Sequence, residues 1–192
     1  MTGAAPVLGA VLCGGRSSRF GTDKALADAG GVPVGARVIG ALRDGGAEPV
    51  VAIGGTAGPQ LGIPTIDDLR PGEGPLPGLA TALLWAKTGL VVVAPCDHVL
   101  LRGDDVRSLI DAAMANPERA AVATRNGEPQ VSLAVWPAVR GRALLRLVDE
   151  GVRAFRAALD IIDWVGVPLP DSALADADTP EDLTRLLAKG TD

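Results

Sequence analysis

The chain has 192 residues and a formal charge of −5, with 47% apolar, 21% charged and 3% aromatic residues. This apolar content and modest net charge exclude intrinsic disorder, and the acidic balance with so few aromatics argues against a dedicated nucleic-acid binder. The 25 glycines and 15 prolines show no three-residue period, which excludes a collagen-like chain and points instead to loops.

In chain order, the apolar run at residues 7–13 ends in glycines and reads as a buried strand. Residues 33–44 carry Val34, Val38, Ile39 and Leu42 at helical spacing, and 49–53 form a second buried strand closed by Gly54 and Gly55. A short strand is expected at 62–66 and a helix at 79–87. Residues 90–94 (LVVVA) are apolar on both faces, as a central parallel strand requires. A helix follows at 104–115. Strands at 120–124 and 131–135 are joined by a polar turn at Asn126-Gly127. Helical segments are expected at 137–148 and 151–159, and a last strand at 161–167. Thr179, Pro180 and Asp182 supply the N-cap, first position and third position of a final helix. Strands alternating with helices predict an α/β domain, a mostly parallel sheet with helices on both faces. The length suits one domain spanning residues 1–192.

Cys13 and Cys96 stand alone in apolar segments and His98 is the one histidine, so C-x-x-C metal or redox sites and multi-histidine mechanisms are excluded. The expectation is two buried, unbridged thiols in a cytoplasmic protein without a signal peptide. Apolar runs fall far short of the roughly 20 residues that span a bilayer, so no membrane association is expected.

Four segments could carry chemistry. Residues 12–24 run from a buried strand through Gly14 and Gly15 into a polar loop with Arg16, Arg19, Gly21 and Lys24, three basic residues against Asp23. Small residues let backbone N–H groups approach a phosphate chain. The same loop also reads as a plain solvated strand–helix connection, and its spacing is neither of the common Gly-rich phosphate motifs. Asp97 follows the strongest strand, where a carboxylate could hold Mg²⁺ against substrate phosphates or could merely cap the next turn. His98 beside it reads as a structural residue. Residues 67–78, dense in Gly and Pro, could lie flat against a base or ribose, or be an ordinary connection. Residues 176–183 begin the final helix, and spacing does not decide whether Asp176 and Asp178 line a site.

Taken in order, L-C-G-G-R-S-S-R-F-G-T-D-K, D-x-x-P-G-x-G-P-L-P-G-L, P-C-D and D-x-D-T-P-E-D-L resemble the motifs of the molybdenum cofactor guanylyltransferases, the MobA family. The first motif matches at every defined position, and the four together run from residue 12 to residue 183. The resemblance implies a three-layer, Rossmann-like nucleotidyltransferase fold that uses Mg²⁺. It implies transfer of GMP from GTP to molybdopterin, or Mo-molybdopterin, with release of pyrophosphate.

Carried over by position, it implies backbone contacts to the nucleotide from Leu12, Cys13 and Gly14, with Gly15 and Gly78 as further nucleotide-binding positions. Lys24, with Arg19 nearby, would neutralise the triphosphate. Asp68 would lie at the nucleoside, and Asp97 would contact the nucleotide and ligate Mg²⁺. The catalytic set is thus Lys24, Arg19 and Asp97. The chain departs from the family at several points. Cys13 replaces the usual Ala, and His98-Val99 replaces the commoner x-Pro. Asp176 and Asp178 stand where many members have two asparagines, and an acidic pair there resembles the related cytidylyltransferases instead. A family Asn after the second strand has no equivalent near Ile53 or Gly54. Gly14 and the G-P-L-x-G loop favour guanine over cytosine. The alternatives are a CTP-dependent or sugar-phosphate nucleotidyltransferase, or an inactive nucleotide-binding accessory protein. A monomer is expected, with transient contact with other cofactor-biosynthesis proteins as an option.

Overall fold

The computed structural model describes residues 6–14 and 23–189. In chain order its elements are β1 Val7–Leu12, α1 Val34–Gly45, β2 Val50–Ile53, β3 Thr65–Ile66, α2 Pro75–Ala86, β4 Leu90–Pro95, α3 Gly103–Ala115, β5 Ala120–Arg125, β6 Glu128–Pro137, α4 Gly141–Asp149, β7 Trp164–Pro168 and α5 Pro180–Lys189. Short 3-10 turns occupy Lys24–Leu26, Pro59–Leu61, Ala138–Arg140 and Phe155–Asp160. Among the described residues, seven strands form one sheet in the order β3-β2-β1-β4-β6-β5-β7. β6 runs against β4 and β5, and the remaining pairings are parallel. The carboxyl ends of β1, β2, β4 and β5 therefore share one edge.

Alternation along the strands builds two cores. Val7, Val11 and Cys13 of the first strand and its exit face one side, with Leu90, Val92 and Ala94 of β4. There they meet Val38, Ile39 and Leu42 of α1 and Val106, Leu109 and Ile110 of α3. Leu8, Ala10, Val91 and Val93 face the other side, against Leu76, Leu79 and Leu83 of α2 and Leu144 and Val148 of α4. Each fully buried leucine contributes about 1.5–3 kcal/mol relative to an exposed one. The result is the expected three-layer arrangement. A smaller cluster joins Leu183 and Leu186 of α5 to Ala29, Val34, Val99 and Ala177. It seats the C-terminal segment beside the segment after β4.

Several boundaries differ from the sequence reading. α2 begins at Pro75, one turn before the expected Leu79, so Gly78 lies inside a helix rather than in a loop. Prolines in a first helical turn forfeit no intrahelical hydrogen bond, so Pro75 and Pro77 do not delay the start. β3 shrinks to Thr65–Ile66 because Gly62, at φ 71°, closes a 3-10 turn instead of extending. The expected helix at 151–159 is only the 3-10 turn Phe155–Asp160, after Gly151 at φ 90°. β7 starts later, at Trp164. The expected helix over 137–148 divides, with Pro137 ending β6 and α4 starting at Gly141. β6 is longer than expected. Asn126 and Gly127, at φ 52° and 83°, form the two-residue hairpin turn and keep Arg125 paired with Glu128.

Candidate active site

The site is built from strand exits. Leu12 pairs with Pro95 in the parallel register of β1 and β4, so Cys13 and Gly14 leave the sheet beside Cys96 and Asp97. On the other flank, the Cys13 N–H donates to the Ile53 carbonyl at 3.0 Å, tying β1's exit to β2. Gly55 follows at φ 69°, and a Cβ there would lie 2.6 Å from the Cys13 carbonyl oxygen. Only glycine permits both that conformation and that approach.

Gly14 differs. A Cβ on it would meet only ordinary contacts, 3.8 Å from Gly54 Cα and the Ile53 carbonyl oxygen and 4.0 Å from Asp68 Oδ2. Protein packing does not demand glycine at 14, and the residue is exposed. Gly78, buried in α2's first turn, brings the helix to Leu12, Ile53 and Asp68, the nearest atoms to an added Cβ being Leu12 Cδ2 at 3.4 Å and Asp68 Oδ2 at 3.7 Å. Asp68 is half-buried. Its Oδ1 accepts from Arg70 N at 3.0 Å and from Thr81 Oγ1 at 3.4 Å, while Oδ2 faces the Gly14–Gly78 side.

The loop before α2 is held from the far side. Arg153 pairs with Glu73 at 2.5 Å, and Arg70 pairs with Asp149 at 3.2 Å. The Arg153 guanidinium also donates to the Val148 carbonyl at 2.6 Å, and its own carbonyl accepts from Leu76 N at 3.1 Å.

Lys24 opens a 3-10 turn whose N-cap, Asp23, accepts from Ala25 N at 3.1 Å. Its Nζ donates to Asp97 Oδ2 at 2.5 Å and to Asp178 Oδ1 at 3.1 Å. Burial works to lower the Lys24 pKa, but the hydrogen bonds and charges of Asp97 and Asp178 outweigh it, leaving the value raised. Asp97 Oδ1 is buried and has no hydrogen-bond partner among the described residues. An orphaned hard oxygen beside a pair of carboxylates fits Mg²⁺, which takes one or two carboxylates and completes its shell with phosphates and water. No cluster of three or more His, Cys, Asp or Glu suited to a metal occurs among the described residues.

A family model described as the MobA-like NTP transferase domain matches residues 9–162. The chain belongs to the MobA-like NTP transferase family. It is 30% identical over 188 residues to a molybdenum cofactor guanylyltransferase of Rhodobacter capsulatus, covering 93% of this chain and 94% of that protein. A probable molybdenum cofactor guanylyltransferase of Pelotomaculum thermopropionicum is 31% identical over 158 residues, 81% of this chain and 73% of its own. The crystal structure of molybdopterin-guanine dinucleotide biosynthesis protein A from Archaeoglobus fulgidus superimposes with a TM-score of 0.78 at 21% identity, covering 95% and 98% of the two chains. As a MobA-like NTP transferase, the protein is a nucleotidyltransferase enzyme.

In this MobA-like chain the strand exits bring together Leu12, Cys13, Gly14, Asp68 and Gly78 on one side, and Lys24 and Asp97 on the other. Gly15 and Arg19, with Arg16, lie outside the described residues. Asp178 joins Lys24 although spacing alone did not decide its place. The D-x-D ahead of the final helix was the available signal. Gly54-Gly55 and Thr81 were also unassigned in the sequence, the first pair visible only as the end of a strand. His98 is buried with Nδ1 unpartnered. Burial lowers its pKa, with Asp97 and Asp176 opposing and Arg125 and Lys24 reinforcing. Cys13 and Cys96 are not disulfide-bonded. A hydrogen bond from one thiol to the other, together with burial, pushes the Cys96 thiol well up, so it is a poor nucleophile.

Proposed function

We propose that this nucleotidyltransferase transfers GMP from GTP to the terminal phosphate of molybdopterin, or its molybdenum-loaded form, and releases pyrophosphate. The observation that carries the reading is the Lys24–Asp97 pair at the junction of the β1 and β4 exits. The names of its relatives support the substrates. Residues 1–192 act as one nucleotidyltransferase domain.

In this reading the exposed backbone at Gly14 lies close to the nucleotide, and Asp68 presents Oδ2 to donors of the nucleoside. A phosphate oxygen of the acceptor is already anionic near neutral pH and attacks the α-phosphorus in line. No general base is needed, in keeping with a chain that has one histidine and no tyrosine. Catalysis then rests on positioning and charge neutralisation. Asp97 would hold Mg²⁺, which supplies neutralisation of the triphosphate charge when bound. Lys24 turns its ammonium from the carboxylates to the phosphates and stabilises charge on the departing pyrophosphate, with Arg19 as a second cation.

A CTP-dependent reaction is the second reading, favoured by Asp176 and Asp178 where many guanylyltransferases have asparagines. A pyrophosphate-release assay with the pterin acceptor decides between them. Release with GTP and not CTP is expected. Release with CTP alone overturns the guanine assignment, and release with neither overturns the enzyme reading.

A further inference from the structure

We propose that Cys13 and Cys96 form a reversible intramolecular disulfide, so that a peroxide-class oxidant switches the enzyme off and a thiol reductant restores it. The inference goes beyond the proposed reaction and does not depend on which nucleotide is used. It rests on where the two thiols lie. Leu12 of β1 and Pro95 of β4 are partners in a parallel register, so Cys13 and Cys96 are the next residues on the two strands. Both side chains pack on the same side of the sheet, in the core under α1 and α3. The sulfurs are within hydrogen-bond reach of one another, and no bridge joins them. Neighbouring strands run about 4.7–4.9 Å apart, and disulfides span Cα separations of about 4.4–6.8 Å. A bridge here closes by side-chain rotation and a small approach of the two exits, without unpairing the sheet.

Cys13 is 7% exposed and Cys96 is half-buried, so the oxidant must be small, as hydrogen peroxide is. Two thiols and one peroxide give one disulfide and two waters. The Cys96 thiol is a poor nucleophile, so the Cys13 sulfur attacks the O–O bond, becomes a sulfenic acid and releases the first water. The Cys96 sulfur then attacks the Cys13 sulfur, gives up its proton and expels the sulfenic oxygen as the second water. The two electrons lost by the sulfurs are those gained by the peroxide. In a reducing compartment such bonds are usually transient and regulatory.

Each thiol adjoins a residue of the site. Cys13 precedes Gly14, and Cys96 precedes Asp97, which pairs with Lys24. To bond, the sulfurs close from non-bonded contact to about 2.05 Å. The β1 exit is held on its far flank, by the hydrogen bond from Cys13 N to the Ile53 carbonyl at 3.0 Å and by Gly55, where an added Cβ would lie 3.2 Å from Cys13 Cβ. The displacement therefore falls on the β4 exit and carries Asp97 with it. Misplacing a reacting group by about 1 Å costs about 100-fold in rate. The loss of turnover rests on the reading of Asp97 as a working residue; the bridge itself does not.

The test treats the full chain with hydrogen peroxide, blocks remaining thiols by alkylation, and reads the protein mass and the Cys13–Cys96 peptide link. Pyrophosphate release is followed in parallel, with the pterin acceptor and whichever of GTP and CTP the reduced enzyme uses. Wild type, Cys13→Ala and Cys96→Ala are each compared with their own reduced form. Wild type is expected to lose two hydrogens, to take up no alkylating agent and to lose turnover about tenfold or more, all reversed by dithiothreitol. The two variants keep the turnover of their reduced forms, because neither closes the bridge. An unchanged mass, oxygen added to either sulfur without a link, or a link between two copies overturns the bridge. A linked enzyme with unchanged turnover overturns the switch, as does an equal loss in the variants. A reduced enzyme with no turnover on either nucleotide overturns the functional reading and the switch with it, while the mass still decides the bridge.

Discussion

Lys24 Nζ lies 2.5 Å from Asp97 Oδ2, and 73 positions of sequence separate the two residues. Neither side chain is more than 16% exposed. The pair joins Lys24, at the start of the 3-10 turn Lys24–Leu26, to the carboxylate after β4, two residues whose roles the sequence left open.

If both residues act on the triphosphate, removing either removes stabilisation made chiefly in the transition state. Lys24→Ala and Asp97→Asn are each expected to lower turnover by about 10²–10³-fold, the scale of deleting one preorganised electrostatic contact. Lys24 is only the first residue of a capped 3-10 turn, so the variants stay folded. Steady-state kinetics beside circular dichroism checks both halves. Near-wild-type turnover in either variant removes that residue from the mechanism.

Gly14 and Gly55 differ sharply in what an added Cβ would meet. Gly55→Ala places a Cβ 2.6 Å from the Cys13 carbonyl oxygen in a residue at φ 69°, and costs about 2 kcal/mol or more. Gly14→Ala meets only ordinary contacts and leaves the unfolding midpoint near wild type. On the proposed reading its GTP affinity, read by calorimetry, is nevertheless expected to fall, because the methyl group would stand where the nucleotide is proposed to approach. Wild-type affinity in Gly14→Ala counts against a close backbone contact.

The strands were legible where the chemistry of burial is unambiguous. LVVVA at β4 is apolar on both faces and sits at the centre of the sheet. Boundaries set by backbone specialists were less so. Pro75 and Pro77 look like loop residues, yet in a first helical turn they sacrifice no hydrogen bond, and Leu76 drives the turn into the core. Residues 151–154 have helical composition, but Gly151 adopts φ 90° and the Arg153 carbonyl turns outward to accept from Leu76. Within the site, Lys24 and Asp97 were candidates in the sequence, from the basic segment following the first strand and from the position after the strongest strand, each with a plain structural reading beside it. Asp178 could not be placed, because its approach depends on the packing of α5 against Val34 and Val99.

Arg153 tests how the loop before α2 is held. Its pair with Glu73 is 35% and 43% exposed, so the ion pair by itself contributes within about 1 kcal/mol. The guanidinium also donates to the Val148 and Val152 carbonyls, at 2.6 and 3.0 Å, contacts that do not involve Glu73. Arg153→Ala is therefore expected to cost about 1–2 kcal/mol in denaturant unfolding, clearly more than Glu73→Ala. It should also raise KM for GTP more than it lowers kcat, since the loop that carries Asp68 loses its brace. Equal stability effects of the two substitutions would assign the brace to the ion pair.

His98 offers a clean titration because the chain has one histidine. Its folded pKa is lowered from 6.5, by burial first, with Arg125 and Lys24 adding to burial and Asp97 and Asp176 opposing it. A lowered folded value means that the unfolded chain binds more protons between that value and 6.5. The contribution to stability is then complete above about pH 6.5 and is lost as pH falls through 6.5 toward the folded value. The imidazole C2 proton, followed by NMR, should show a midpoint below 6.5. The stability difference between wild type and His98→Gln should shift toward the variant on acidification across the same range. A midpoint at or above 6.5 would mean that the carboxylates of Asp97 and Asp176, rather than burial, govern the ring.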